Sequence, residues 1–213
     1  MKHHHIVVEG PIGVGKTTLA RMLAEELGAR LVAEALEENP LLPRFYEDPV
    51  GQALQTQLFF LVSRFRQQQV LSQVFLREGP CVCDYLFAKD RLFADLNLAP
   101  HELTLYRQIY QLLSPQLARP DLVVYLQAST KELLHRIESR AIAYERGIDK
   151  GYVDRLNEAY KSFFFDYADS PLLVINTTDI NFVDRREDFE DLLRHIGEMH
   201  AGTVYYQPLS SRE

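Results

Sequence analysis

The run Gly10-Pro11-Ile12-Gly13-Val14-Gly15-Lys16-Thr17 constrains this chain more than any other stretch, because it matches G-x-x-x-x-G-K-[ST] at every position. Its surroundings are those the motif requires. An apolar strand pattern, Ile6–Glu9, leads in, and a helical pattern, Lys16–Leu27, leads out. Glycines let the backbone wrap a phosphate closely, so that successive N–H groups aim at its oxygens. The helix N-terminus adds its partial positive charge. Lys16 is placed to reach the β- and γ-phosphates of ATP, and Thr17 to put its hydroxyl on Mg²⁺. Gly10 through Thr17, with Thr18 following, are therefore the predicted ATP-phosphate residues.

The rest of the chain alternates short β-branched runs with longer helical patterns, the signature of βαβ units and a parallel sheet. Predicted strands cover Ile6–Glu9, Ala29–Ala33, Pro80–Asp84, Leu122–Gln127 and Leu172–Asn176. Predicted helices cover Lys16–Leu27, Gln52–Phe75, His101–Leu113, Thr130–Arg140, Lys150–Tyr167 and Arg185–His200. The fourth of these opens with a capping box, Ser129 and Glu132. The expected fold is α/β and P-loop NTPase-like: three layers, a parallel five-stranded sheet flanked by helices, and one domain over all 213 residues.

Composition narrows the partners. A formal charge of −7 argues against general nucleic-acid binding, which favours a basic face. No apolar stretch is long enough to span a membrane, and the N-terminus lacks a signal-peptide core. Cys81 and Cys83 read as reduced core residues, which fits the cytoplasm; a metal pair there would need further ligands. His3, His4 and His5 read as a polar lead-in to the first strand.

A P-loop does not choose an acceptor. The N-K-x-D of a GTPase is absent, and Asp84 is followed by Tyr85 rather than by the second acidic residue usual in motor ATPases. A small-molecule kinase is the simplest reading. Three segments bear on its acceptor: Glu34 after the second strand, Arg44-Phe-Tyr46-Glu-Asp-Pro49, and a helix carrying Gln57 and Arg64 seven apart on one face. A Gln amide can pair with a base edge, and an Arg can extend that contact.

Together these segments resemble the deoxynucleoside kinases, especially the bacterial deoxyadenosine and deoxyguanosine kinases, from Ile6 to about Ile196. The resemblance implies Mg²⁺·ATP-dependent phosphorylation of a 5′-hydroxyl in nucleotide salvage, by a homodimer. It makes Glu34 the general base and Tyr46, eleven residues before Gln57, the residue on the sugar 3′-hydroxyl. Gln57, Arg64 and Asp90 then grip the base, which favours deoxyadenosine, followed by deoxyguanosine or deoxycytidine. Phe93 or Phe59 is placed to stack on it. Where animal relatives carry Glu-Arg-Ser, this chain has Asp84-Tyr85. Asp84 keeps a carboxylate for Mg²⁺, the choice of base between Glu34 and Asp84 stays open, and another group must supply the missing arginine's charge.

Phosphoryl transfer also requires water exclusion and cations on the moving group. The segment from Arg136 to about 150 resembles the family's arginine-bearing lid. Arg136 and Arg140 match its first two arginines, Arg146 is a displaced third, and Glu145 resembles the lid glutamate at the 3′-hydroxyl. The loop Thr177–Phe182 is expected to flank the ATP adenine. Rival readings are a thymidylate-type monophosphate kinase, whose acceptor phosphate Glu34 would repel, and a non-catalytic nucleotide-binding module. Tyr46 and Glu145 closing on the sugar would leave little room for a 2′-hydroxyl. Tyr46→Phe is therefore expected to lose roughly tenfold of the preference for deoxyadenosine over adenosine in kcat/KM, and an unchanged ratio counts against that closure.

Overall fold

The computed structural model describes residues 3–34, 40–75, 79–140, 148–178 and 180–206, with backbone alone for 70–75. Its centre is β1 (His5–Glu9), which pairs in parallel with β3 (Cys81–Cys83) on one side and β4 (Leu122–Gln127) on the other. Beyond β3 lies β2 (Arg30–Val32), and beyond β4 come β5 (Leu172–Asn176) and β6 (Thr203–Tyr206). All pairings are parallel, in the order β2-β3-β1-β4-β5-β6.

Strand alternation feeds two packed layers. Ile6 and Val8 of β1 join the core of α1 (Lys16–Leu27), α6 (Thr130–Arg140) and α8 (Arg186–Glu198), through Leu19, Leu23, Leu133, Ile137 and Leu192. Val7 faces the other layer, built on α4 (Lys89–Asn97) and α7 (Lys150–Phe165). Successive strand residues point to opposite faces, so a strand covered on both sides must be apolar throughout. A third cluster unites α2 (Leu42–Glu47), α3 (Ala53–Phe75), α4 and α5 (Pro100–Leu113) around Phe45, Leu61, Ala94 and Tyr106.

The three-layer parallel expectation holds, with corrections. Among the described residues the sheet has six strands, not five: β6 is a mostly exposed edge, so it lacks the continuous apolar run that marks the inner strands. Helices α2 and α4 were not expected. On α4, Lys89 and Asp90 occupy buried positions, so the helix shows no clean apolar stripe. His5 is no lead-in: it begins β1, is buried, and lies opposite Cys81. Cys81 and Cys83 are free buried thiols whose sulfurs sit 4.0 Å apart, and Cys83 Sγ is 3.5 Å from His5 Nε2. Only half the capping box forms. Ser129 Oγ accepts from the Glu132 N–H at 3.2 Å, while the Glu132 carboxylate turns to Arg136. At the end of α7, Phe164 and the following Tyr167 are buried and Phe164 stacks on Tyr125 at 4.0 Å, whereas Phe165 is exposed. Among the described residues no helix is long and apolar enough to cross a membrane.

Burial lowers the His5 imidazole from 6.5 to about 4, although Asp121 pulls it upward. The unfolded chain therefore takes up a proton near pH 6.5 that the folded protein refuses until about pH 4. Stability contributed at neutral pH is lost as pH falls through that window, by about 3 kcal/mol. Urea melts of His5→Leu should show a shallower loss between pH 7 and pH 4 than the wild type; parallel curves would rule the imidazole out.

Candidate active site

The chain leaves β1 for one side of the sheet and later returns to the other, and the crevice at the strands' carboxyl ends opens where the direction reverses. Three carboxylates come from that edge: Glu9 at the end of β1, Glu34 after β2 and Asp84 after β3. Glu34 and Asp84 border a cavity of about 300 Å³ that runs from Lys16 and Thr17 to Tyr46, Gln57 and Phe93, with Glu9 buried behind it.

At its phosphate end the loop between β1 and α1 is shaped by its glycines. Gly13 has φ +83°, and a Cβ there would stand 2.9 Å from the Leu133 carbonyl oxygen. Gly15, at φ +101°, turns the chain into α1. Lys16 Nζ arches over the loop, donating to the Gly10 and Pro11 carbonyls at 2.8 and 3.1 Å. Its burial lowers its pKa to about 8 despite the raising influence of Glu9, with Lys89 pushing it further down. A polyphosphate would supply the counter-charge. Thr17 Oγ1 donates to Asp84 Oδ2 at 2.5 Å, and Asp84 Oδ1 accepts the Glu34 backbone N–H at 2.6 Å. A hydroxyl and a carboxylate at this separation are hard oxygen donors that fit Mg²⁺.

The other end is a chain of buried ions. Glu34 Oε1 accepts from Arg64 Nε at 2.6 Å, and Glu34 Oε2 from Lys89 Nζ at 2.9 Å. Burial alone would raise the Glu34 carboxyl, but the two cations overcome it and hold the group at about 2. Burial works against the Lys89 charge too, yet Glu34 and Glu9 keep its pKa above the ordinary value. Arg64 also pairs with Asp90 and lies 4.7 Å over the Phe60 ring. Asp90 accepts as well from Tyr106 Oη at 2.7 Å and from Gln57 Nε2 at 2.6 Å. Gln57 Nε2 donates in addition to the Asp90 carbonyl at 2.8 Å. Both partners are acceptors, so the amide nitrogen is committed to Asp90 and the carbonyl oxygen is the atom left for a ligand.

A family model described as deoxynucleoside kinase matches residues 6–200. The chain belongs to the deoxynucleoside kinase family. It is 38% identical over 199 residues to the deoxyguanosine kinase of Bacillus subtilis, covering 91% of this chain and 96% of that protein. It is 30% identical over 209 residues to the deoxyadenosine kinase of Lactobacillus acidophilus, covering 91% and 94%. The solved structure of deoxyadenosine kinase from M. mycoides with bound dATP superposes with a TM-score of 0.77 at 26% identity, covering 91% of this chain and 99% of that one. The kinase is accordingly a phosphotransferase, with the P-loop NTPase-like fold of its structural neighbours.

In this kinase most of the expected residues converge. Lys16, Thr17, Thr18, Glu34, Tyr46, Gln57, Arg64, Asp84, Phe93, Arg136 and Arg140 share the one cavity. Asp90 does not line it: fully buried, it stands behind Gln57 and Arg64 and orients both, because each of its carboxylate oxygens is already occupied. The pocket-lining ring of α3 is Phe60, not Phe59, since Phe60 lies on the face of Gln57 and Arg64 at helical spacing. Arg136 is pinned rather than swinging outward, donating to the Val14 carbonyl at 3.2 Å and the Thr177 carbonyl at 2.9 Å. That brings the loop after β5 beside the P-loop, where Asn181, Phe182 and Arg185 border a second recess with Val14 and Thr18. Glu145 and Arg146, the remaining lid residues, lie outside the described residues.

Sequence reasoning missed Lys89, Tyr152 and Tyr160, which complete the walls, and Glu9, which is buried behind them. Glu9 could have been found, as an acidic residue ending an otherwise apolar strand directly before the P-loop. Arg64→Leu would leave Glu34 and Asp90 buried without their shared cation. It is expected to destabilise the fold by about 3–5 kcal/mol in denaturant melts and to raise the deoxynucleoside KM at least tenfold; a melt within about 1 kcal/mol of wild type would contradict the pairing.

Proposed function

We propose that this kinase transfers the γ-phosphoryl group of Mg²⁺·ATP to the 5′-hydroxyl of a purine deoxynucleoside. The observation that carries the reading is the position of Glu34, between a phosphate cradle with its Thr17–Asp84 oxygen pair and a base end formed by Gln57 and Arg64. Glu34 takes the 5′-hydroxyl proton as the 5′-oxygen forms its bond to the γ-phosphorus and the bond to the bridging oxygen breaks, leaving ADP. A carboxylate so well paired is a weak base. The loose transition state of phosphoryl transfer needs little prior deprotonation, so positioning matters more than basicity. Asp84, engaged with Thr17 and the Glu34 N–H, suits the metal instead. Mg²⁺ bound there supplies charge neutralisation on the β- and γ-phosphates. Arg136 and Arg140 border the same space and add positive charge.

Gln57 Oε1 is an acceptor for a base N–H, which either purine offers. The Gln57–Arg64–Asp90 set favours deoxyadenosine, as the resemblance implies. Deoxyguanosine is the second reading, favoured by the 38% identity to the Bacillus subtilis deoxyguanosine kinase. A monophosphate acceptor suits the site poorly, because Glu34 would face its phosphate while Arg64 and Lys89 are already paired. A non-catalytic module would have no use for the full set of Lys16, Thr17, Glu34, Asp84 and the two arginines. A homodimer in the cytoplasm, where the thiols of Cys81 and Cys83 stay reduced, is the setting we propose.

ADP release from Mg²⁺·ATP, measured with the four deoxynucleosides, adenosine and deoxyadenosine monophosphate, tests the assignment. Turnover is expected on deoxyadenosine or deoxyguanosine, at least tenfold above thymidine and the monophosphate. Turnover confined to thymidine would sink the base site, and turnover confined to the monophosphate would sink the acceptor.

A further inference from the structure

Lys89 is a buried cation of this site to which no sequence motif assigns a role. It stands in the first turn of α4 with its side chain 3% exposed, and its ammonium spans two carboxylates, Glu34 Oε2 at 2.9 Å and Glu9 Oε2 at 3.4 Å. Glu9 is held from four directions. It accepts the Gly10 N–H at 2.8 Å, the Leu86 N–H at 2.7 Å and the Tyr160 hydroxyl at 3.1 Å, besides facing Lys89. It is therefore tied to the start of the P-loop, to the β3–α4 connection and to α7 at once. A lysine fixed on such an anchor cannot drift, although its four-carbon stem would otherwise be mobile.

The two oxygens of Glu34 have separate keepers. Oε1 belongs to Arg64, which leads through Asp90 to the base end, and Oε2 belongs to Lys89, which leads through Glu9 to the phosphate end. The sheet alone does not fix this carboxylate, because Glu34 follows the short edge strand β2 rather than lying within the sheet. Tyr85, beside Asp84, is fully buried and carries no charge, and among the described residues the cation paired with Glu34 Oε2 is Lys89.

We propose that Lys89 is a positioning residue for phosphoryl transfer: it transfers the fixed location of Glu9 to Glu34 and so sets the carboxylate's aim at the acceptor hydroxyl. The inference rests on the kinase reading with Glu34 at the 5′-hydroxyl. Its consequence is specific. Arg64 touches both Glu34 and the base-reading group, so its loss affects binding and turnover alike. Lys89 touches only the reacting end, so its loss affects turnover.

The test is steady-state kinetics of the full chain carrying Lys89→Met, Lys89→Arg or Glu9→Gln, beside the wild type, with thermal melts to confirm folding. Lys89→Met is expected to lower kcat by about 10²-fold, the scale of a misplacement near 1 Å, with both KM values changed by less than about threefold. Lys89→Arg restores the charge and should recover to within about tenfold of wild type. Glu9→Gln, which keeps an acceptor oxygen but weakens the anchor, should also lower kcat, and it decides the matter if Lys89→Met does not fold. A Lys89→Met or folded Glu9→Gln enzyme with kcat within about twofold of wild type overturns the inference, as does a rise in KM at unchanged kcat. No wild-type turnover on any deoxynucleoside would overturn the kinase reading and this inference together; wild-type turnover beside an unaffected variant overturns this inference alone.

Discussion

The whole site turns on one carboxylate held between two cations. Glu34 sits at the meeting point of two chains of buried ions, one through Arg64 to Asp90 and one through Lys89 to Glu9. Such clusters are poor sources of stability, because desolvation of each ion offsets most of the attraction. Their physical effect is geometric: every group has a partner in a fixed place, so none can rotate without stranding another. In a reaction limited by placement, that rigidity is the useful property.

The balance of charge around Glu34 fits what must enter. Glu9, Glu34, Asp84 and Asp90 face Lys16, Arg64 and Lys89, so carboxylates outnumber these cations by one before Arg136 and Arg140 at the cavity edge are counted. A polyphosphate alone would worsen the excess of negative charge, whereas a divalent cation at Thr17 and Asp84 would offset it. The depressed pKa of Lys16 tells the same story from the other side: half-buried against the P-loop carbonyls, it lacks the anion that a polyphosphate would supply.

The fold makes this cluster possible by bringing distant segments to one edge. Glu9, Glu34 and Asp84 are far apart in the chain, yet each ends or closely follows a parallel strand, so their side chains gather at the same end of the sheet. The helical layer of α3, α4 and α5 then closes the cavity end away from the P-loop, with Tyr106 of α5 completing the Asp90 network.

Much of this was legible in the residues. The P-loop, its strand and its helix follow from local pattern, because phosphate binding there uses backbone geometry that glycine spacing alone specifies. Gln57 and Arg64 share a face by helical period, and the inner strands announce themselves by continuous apolar runs. Edge strand β6 and helix α4 escaped notice for a common reason: one buries too little apolar surface and the other buries Lys89 and Asp90 in its place. The sequence by itself determined the nucleotide cradle, the layered α/β class and the family. Only the tertiary structure decided that Asp90 stands behind Gln57 and Arg64, that Phe60 rather than Phe59 lines the cavity beside them, and that Lys89 joins its wall with Glu9 buried behind. Local pattern reports which face a residue takes, whereas the partner of a buried charge is set by contacts between segments that only packing brings together.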